Sequence, residues 1–286
     1  MASYVAITPA KDEERLMPGV IASMLSQSHQ AGRWIIIDDG STDATPQILD
    51  QAARDNPWIE VHHLAKDRPR AAGGESVIMQ FLPTRVWNEY DYILRLDADL
   101  TFDSEMVRQL MHEFEVTPDL GIAGAMLLER NPEGIWQEAK QPGFHTRGAV
   151  KLYSRGCFEA IDGLDAGLGW DTLDEIRAMM HGYTTHSFPY IQARHHRTQG
   201  TADGIVKGRL AAGRAAYRIG YSPIFMFARS LWRSVHPPFV LGGLALLAGY
   251  CEGYIRGLPK AVTPDVESFV RRQQRLRLLG KQSVWN

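Results

Sequence analysis

A chain of 286 residues is long enough for one large α/β domain with an appendage, or for two small domains, and can bury a sizeable core. Its 31 basic and 33 acidic residues give a formal charge of -2, which offers no general electrostatic case for nucleic acid, so any basic surface must be local. Cys157 and Cys251 lie far apart, with no CxxC or Cys/His cluster at zinc spacing, and fit a reduced cytoplasmic protein.

The N-terminal "MASYVAITPAKDEE" lacks a basic start followed by an apolar stretch and reads as a chain without a signal peptide. "SYVAITP" reads as a first strand, ending at Thr8-Pro9 because proline cannot continue a central ladder. In "DEERLMPGVIASMLSQS", Leu16, Val20, Ile21, Met24 and Leu25 have the spacing of one helix face. A second strand, "RWIIIDD", runs into "GSTDATPQILDQAARD", where Ser41, Thr42 and Asp43 offer helix caps. "WIEVHHL" is expected as a third strand, "GGESVIMQFLPTRVW" as a helix and "DYILRLDAD" as a fourth strand. This alternation predicts a parallel sheet with helices on both faces.

Ligands of such sheets bind beyond the carboxyl ends of the strands. Thr8 to Glu13 follows the first strand, Asp38 and Asp39 the second, Asp97 and Asp99 the fourth. Three polar clusters are therefore expected to share one crevice. If the fourth strand stays extended through its end, Asp97 and Asp99 project from one side, and their repulsion must be offset by a cation, a nearby Arg or Lys, or water.

Further on, "LGIAGAMLLE" reads as a strand, "TLDEIRAMMHG" as a helix with an acidic first turn and a terminal glycine, and "YIQARHHR" as a short strand. Beyond residue 200 the character changes. Arg194 to Arg233 holds eight Arg or Lys against one acid, Asp203, and Pro237 to Cys251 is 15 residues without a charge. That run falls short of the roughly 20 residues of a spanning helix. Mixed with "YSPIFMFARSLWRSV", it suits an interfacial segment on an anionic cytoplasmic leaflet, against the plainer reading of a helix packed on its neighbours. The expected layout is residues 1–200 as the α/β domain and 201–286 as a basic, apolar helical extension.

"ITPAKDEERLMPGVIASMLSQS", "WIIIDDGSTDAT", "LRLDADLTF" and "GWDTLDEIRAMMHGYTTHSFP", with "RHHR" beyond, resemble in order and spacing the inverting family 2 glycosyltransferases of GT-A fold. The resemblance implies transfer of a sugar from a nucleotide-diphospho-sugar to an acceptor hydroxyl, with Mn²⁺ or Mg²⁺. It implies Asp99 as metal ligand and Asp97 near the ribose and metal-bound water. Thr8, Pro9, Glu13, Asp38 and Asp39 line the nucleotide pocket by the same analogy, and Arg68 and Arg70 are read either as diphosphate contacts or as solvated loop cations. Asp171 is the implied base, with Asp174 and Glu175 as competitors whose plainer role is to complement a helix dipole. Trp170 stands where the family has Glu.

A histidine of this region joins the metal in many GT-A enzymes, and alternation allows only one of His195 and His196, with His196 favoured. UDP is the default nucleotide, and a lipid-linked or glycan acceptor at the inner membrane face the expected partner. The missing Glu leaves open an inactive glycosyltransferase-like scaffold. A sugar nucleotidyltransferase is disfavoured, because "TPAKDEERL" lacks a Gly-rich phosphate loop.

Overall fold

The computed structural model describes residues 2–65, 86–131, 133–165, 167–197 and 204–285. Arg68 and Arg70 lie outside them, as does most of the helix expected at 73–87, whose end forms a short 3₁₀ turn at Val86–Glu89. The chain divides into two compact units, Met1–Gly167 with His181–Arg197, and Leu168–Met180 with Thr198–Asn286. Residues 168–180, Asp171 among them, thus group with the C-terminal helices rather than with the strands.

The first unit is built on a nine-stranded sheet of β1 (Tyr4–Ala10), β2 (Arg33–Asp38), β3 (Ile59–His63), β4 (Tyr92–Leu96), β5 (Leu100–Phe102), β6 (Leu120–Arg130), β7 (Trp136–Glu138), β8 (Val150–Ser154) and β9 (Thr184–His195). Its order is β3-β2-β1-β4-β8-β6-β9-β5, with β7 on β6. The half from β3 to β4 is parallel, as alternating strands and helices dictate. β8 then enters antiparallel between β4 and β6, and β9 returns parallel to β6. The sheet is mixed, and the short later strands carry no helix alternation from which this could be read.

Among the described residues of this unit are the helices α1 (Met17–Leu25), α2 (Thr45–Asp55), α3 (Met106–Val116) and α4 (Arg155–Ala160). Pro18 and Pro46 sit in the first turns of α1 and α2, where a missing N–H costs no intrahelical bond. Trp34, Ile36, Leu94, Leu96, Leu110 and Leu127 are among the core side chains. Trp34 is fully buried and donates its indole N–H to Thr8 Oγ1 at 2.9 Å. That bond explains a polar residue at the centre of β1.

Strand β1 runs past the expected stop and includes Pro9 and Ala10, paired in register with Ile37 and Asp38. The neighbour on its other side, β4, pairs only as far as Ile7. Proline is therefore placed where one flank of the ladder has already ended.

The second unit comprises α5 (Trp170–Met180), α6 (Ile205–Arg218), α7 (Pro223–Ser234), α8 (Leu241–Ile255) and α9 (Pro264–Leu278). Helix α8 packs on both α6 and α7, and α5 packs on α9. Tyr217, Met226, Leu246 and Tyr250 are buried between the helices. A Cβ on Gly249 would stand 2.0 Å from the backbone oxygen of Leu210, so α6 and α8 approach as closely as glycine allows. The uncharged run at 237–251 accordingly lies, from Leu241 on, in a helix packed on its neighbours. Among the described residues no helix is long and apolar enough to cross a membrane.

Candidate active site and metal centre

Beyond β4 the chain turns at Asp97-Ala98-Asp99 and re-enters the sheet as β5. The two carboxylates are not held side by side by an extended strand. They converge because β5 pairs with the end of β9, where Leu100 faces His195 across the ladder. One ligand atom from each of Asp97, Asp99 and His195 lies within 4.8 Å of the others.

The repulsion between the two acids is offset by cations already in the protein. Arg95 is buried on β4 and donates to Asp97 Oδ1 at 2.5 Å as well as to the carbonyl of Gly148. His195 Nε2 stands 3.3 Å from Asp99 Oδ1, and its Nδ1 faces Glu129 on β6 at 3.7 Å. Neither contact has hydrogen-bond alignment, and both Asp99 Oδ1 and His195 Nδ1 are buried without a hydrogen-bond partner. Burial opposes charge on His195, but Asp99 and Glu129 outweigh it and raise its pKa to about 9. Glu129 is held below the usual carboxylate range by His195 and then, against its burial, by Arg147, which donates to it at 2.5 Å.

Two carboxylates and a histidine, with Asp99 Oδ1 and His195 Nδ1 buried and lacking hydrogen-bond partners, are a donor set that could hold a metal ion, and oxygen plus imidazole suits Mn²⁺. The cluster takes His195 and not His196. His196, just past the end of β9, is engaged elsewhere: its Nε2 lies 2.8 Å from Thr101 Oγ1 and its ring packs edge-on to Trp136. His195 is the last residue of β9, and the pairing of β5 with β9, invisible in the sequence, is what sets it beside the acids.

The residues expected to line a nucleotide pocket separate into those held by other side chains and those left available. Thr8 is spent on Trp34, and Pro9 is partly exposed at the end of β1. Asp38 is buried, accepts from the Ser41 backbone N–H at 2.9 Å, and meets His63 Nδ1 at 2.8 Å. His63 Nε2 in turn lies 3.0 Å from Asp50 on α2. Asp38 thus fixes the turn at Gly40, whose φ of 67° favours glycine, and both its oxygens are engaged. Asp39 next to it keeps a partly exposed carboxylate, with Lys11 Nζ 3.9 Å away.

Glu13 lies beside a cleft of about 370 Å³ with Asp12, Glu14, Asp43 and Arg197. Its backbone N–H donates to Thr45 Oγ1, and its carboxylate accepts from Arg197 at 2.6 Å. Burial pushes the Glu13 pKa up to about 7 despite Arg197, with Asp99 and Asp97 adding to the rise. Arg197, Glu129 and Arg95 were not assigned from sequence. The signal for Glu129 is that it is the one acid in the β6 run "LGIAGAMLLER".

Asp171 lies in the first turn of α5, in the second unit, and is partly buried. Asp174 and Glu175, expected to complement the helix dipole, are buried within α5.

The fold and the strand-end acids define a GT-A, nucleotide-sugar type of protein. A mannosyltransferase from Pyrobaculum calidifontis, solved with GDP-Man and Mn²⁺, superposes with a TM-score of 0.56 at 14% identity, covering 97% of this chain and 81% of its own. Glucosyl-3-phosphoglycerate synthase from Mycobacterium tuberculosis, solved with Mg²⁺ and UDP, does so at 0.56 and 18%, covering 77% and 80%. More particularly, residues 5–165 match the model of glycosyl transferase family 2, and the chain belongs to that family.

Among curated relatives, beta-monoglucosyldiacylglycerol synthase of Synechocystis sp. is 27% identical over 60% of this chain and 39% of its own length. Undecaprenyl-phosphate 4-deoxy-4-formamido-L-arabinose transferase of Pectobacterium carotovorum is 33% identical over 37% and 31%. The chain thus spans well under half the length of these relatives.

Proposed function

We propose that the protein is an inverting glycosyltransferase that moves a sugar from a nucleotide-diphospho-sugar, a UDP-sugar by default, to a hydroxyl of a lipid-linked acceptor in glycolipid or polysaccharide synthesis. The observation that carries this reading is the convergence of Asp97, Asp99 and His195 at the strand ends of a family 2 chain. The lipid acceptor is supported by the diacylglycerol and undecaprenyl-phosphate in the names of the relatives.

Asp99 and His195 would hold a Mn²⁺ or Mg²⁺ ion, with Asp97 beside it. When bound, that ion supplies the positive charge that offsets the diphosphate leaving group. Asp39 accepts an N–H of the base or a ribose hydroxyl, while Asp38 holds the turn that presents it. Asp171 takes the proton of the acceptor hydroxyl as that oxygen bonds to the anomeric carbon. The bond from that carbon to the diphosphate breaks on the opposite face, which inverts the configuration.

The test is release of nucleoside diphosphate from a panel of sugar nucleotides with Mn²⁺, for wild type and Asp99→Ala. The reading expects release with at least one donor and its loss in the variant. No binding and no release with any donor, together with an Asp99→Ala protein indistinguishable from wild type, would defeat it.

A further inference from the structure

Ile224, Phe227, Leu231 and Val235 of α7 and its C-cap recur at i, i+3, i+7 and i+11, the spacing of a single helical stripe. Such a stripe ordinarily packs on a core. Here all four are exposed, Ile224 at 74%, while Met226 and Ser230 take the buried side. Trp232 beside the stripe is 64% exposed, and Phe239, Val240 and Leu241 carry the apolar surface on to the start of α8. An exposed apolar surface of this extent marks an interaction site.

The neighbouring charges state what kind. From Gly204 to Ile255 there are six Lys or Arg against one acid, Glu252, and that acid is engaged by Arg214 and Arg256. Arg209 on α6 is pulled below the usual arginine range by burial and then by the nearby guanidiniums of Arg233 and Arg229. Arg229 lies over the Tyr221 ring and Arg233 donates to the carbonyl of Pro237. Among the described residues none of the three arginines has an acidic partner. Three neighbouring guanidiniums with no acid paired to them among the described residues repel one another, and an anionic surface relieves that repulsion.

We propose that the outward face of α7 and the start of α8 dock on an anionic phospholipid leaflet, the apolar stripe entering the acyl boundary and Arg209, Arg229 and Arg233 meeting headgroup phosphates. Twelve residues of α7 span roughly 18 Å, against a hydrocarbon core of about 30 Å, so the helix lies in the interface. Trp232 is suited to headgroup depth. A second copy is the poorer occupant, since a two-fold pairing would set two arginine clusters together. This docking needs neither donor nor metal and stands apart from the transfer reaction.

The experiment is sedimentation of the full chain with vesicles of phosphatidylcholine alone or mixed with phosphatidylglycerol. Wild type is expected on the anionic vesicles and not on the neutral ones, with binding reduced by salt. The combined Arg209→Gln, Arg229→Gln, Arg233→Gln variant should bind more weakly, at about fivefold per arginine and on the order of a hundredfold together. Phe227→Ser, Leu231→Ser, Trp232→Ser should abolish sedimentation with an unchanged melting temperature.

Equal binding to both vesicle types, no binding to either, or full binding by both variants overturns the proposal. So does light scattering that finds a wild-type dimer dispersed by the serine substitutions without any vesicle binding, which assigns the face to a second copy.

Discussion

At the strand ends of the first unit, charged side chains sit against opposite ones: Arg95 on Asp97, His195 on Asp99, Arg147 on Glu129, Arg197 on Glu13. On α6 and α7 of the second unit, Arg209, Arg229 and Arg233 lie near one another with no acid paired to them among the described residues, beside apolar side chains turned outward. The first arrangement is balanced in the free protein, so a cation arriving there must displace a charge already present. The second is unbalanced in the free protein and gains by meeting a partner.

The largest expected effect breaks the balanced set. Asp99→Ala should lower turnover by about 10³-fold, the scale of losing a group that stabilises transition-state charge. Excess chelator should reproduce this in wild type, as read by nucleoside diphosphate release. Asp171→Asn, in the second unit, should cost at least about 10²-fold in kcat with little change in donor affinity. Equal turnover would remove Asp171 as base and separate the helical unit from the chemistry.

His195 distinguishes a pre-paired site from an empty one. Its folded pKa of about 9 lies above the unfolded 6.5, so its contribution to the stability of the metal-free protein is full below about pH 6.5 and is lost as pH rises through 9. A metal ligand must be neutral, so Mn²⁺ binding near pH 7 should release about one proton and strengthen with pH. His195→Gln should remove that pH dependence and weaken Mn²⁺ by roughly 10- to 100-fold, while His196→Gln should do neither. Calorimetry in buffers of different ionisation enthalpy reads both.

Smaller effects separate Asp38 from Asp39. Asp38→Asn disturbs a buried acceptor of two bonds and should cost about 1–3 kcal/mol in thermal unfolding. Asp39→Asn should leave the melting temperature unchanged and raise KM for the donor. Smallest of all, Phe227→Ser should change stability by no more than about 0.5 kcal/mol, because that side chain is already in water.

The strands of the parallel half, and the gathering of acids at their ends, follow from sequence, because alternating apolar runs and helix-spaced faces are local patterns. What escaped is non-local. The pairing of β5 with β9 chose His195 over His196, the antiparallel entry of β8 made the sheet mixed, and the grouping of α5 with the C-terminal helices moved Asp171 into the second unit. The indole of Trp34 claimed Thr8, and His63 with the Ser41 amide claimed Asp38. Each of those partners is distant in sequence or hidden among ordinary core residues. The basic and aromatic character of "YSPIFMFARSLWRSV" was legible, but that its apolar stripe on α7 faces outward was not.

The central claim is that Asp97, Asp99 and His195 form a cation and diphosphate site, and electron paramagnetic resonance of Mn²⁺ in the presence of UDP tests it most directly. One bound Mn²⁺ per chain is expected in wild type and in His196→Gln, and none in Asp99→Ala. Undiminished Mn²⁺ occupancy in Asp99→Ala would contradict it.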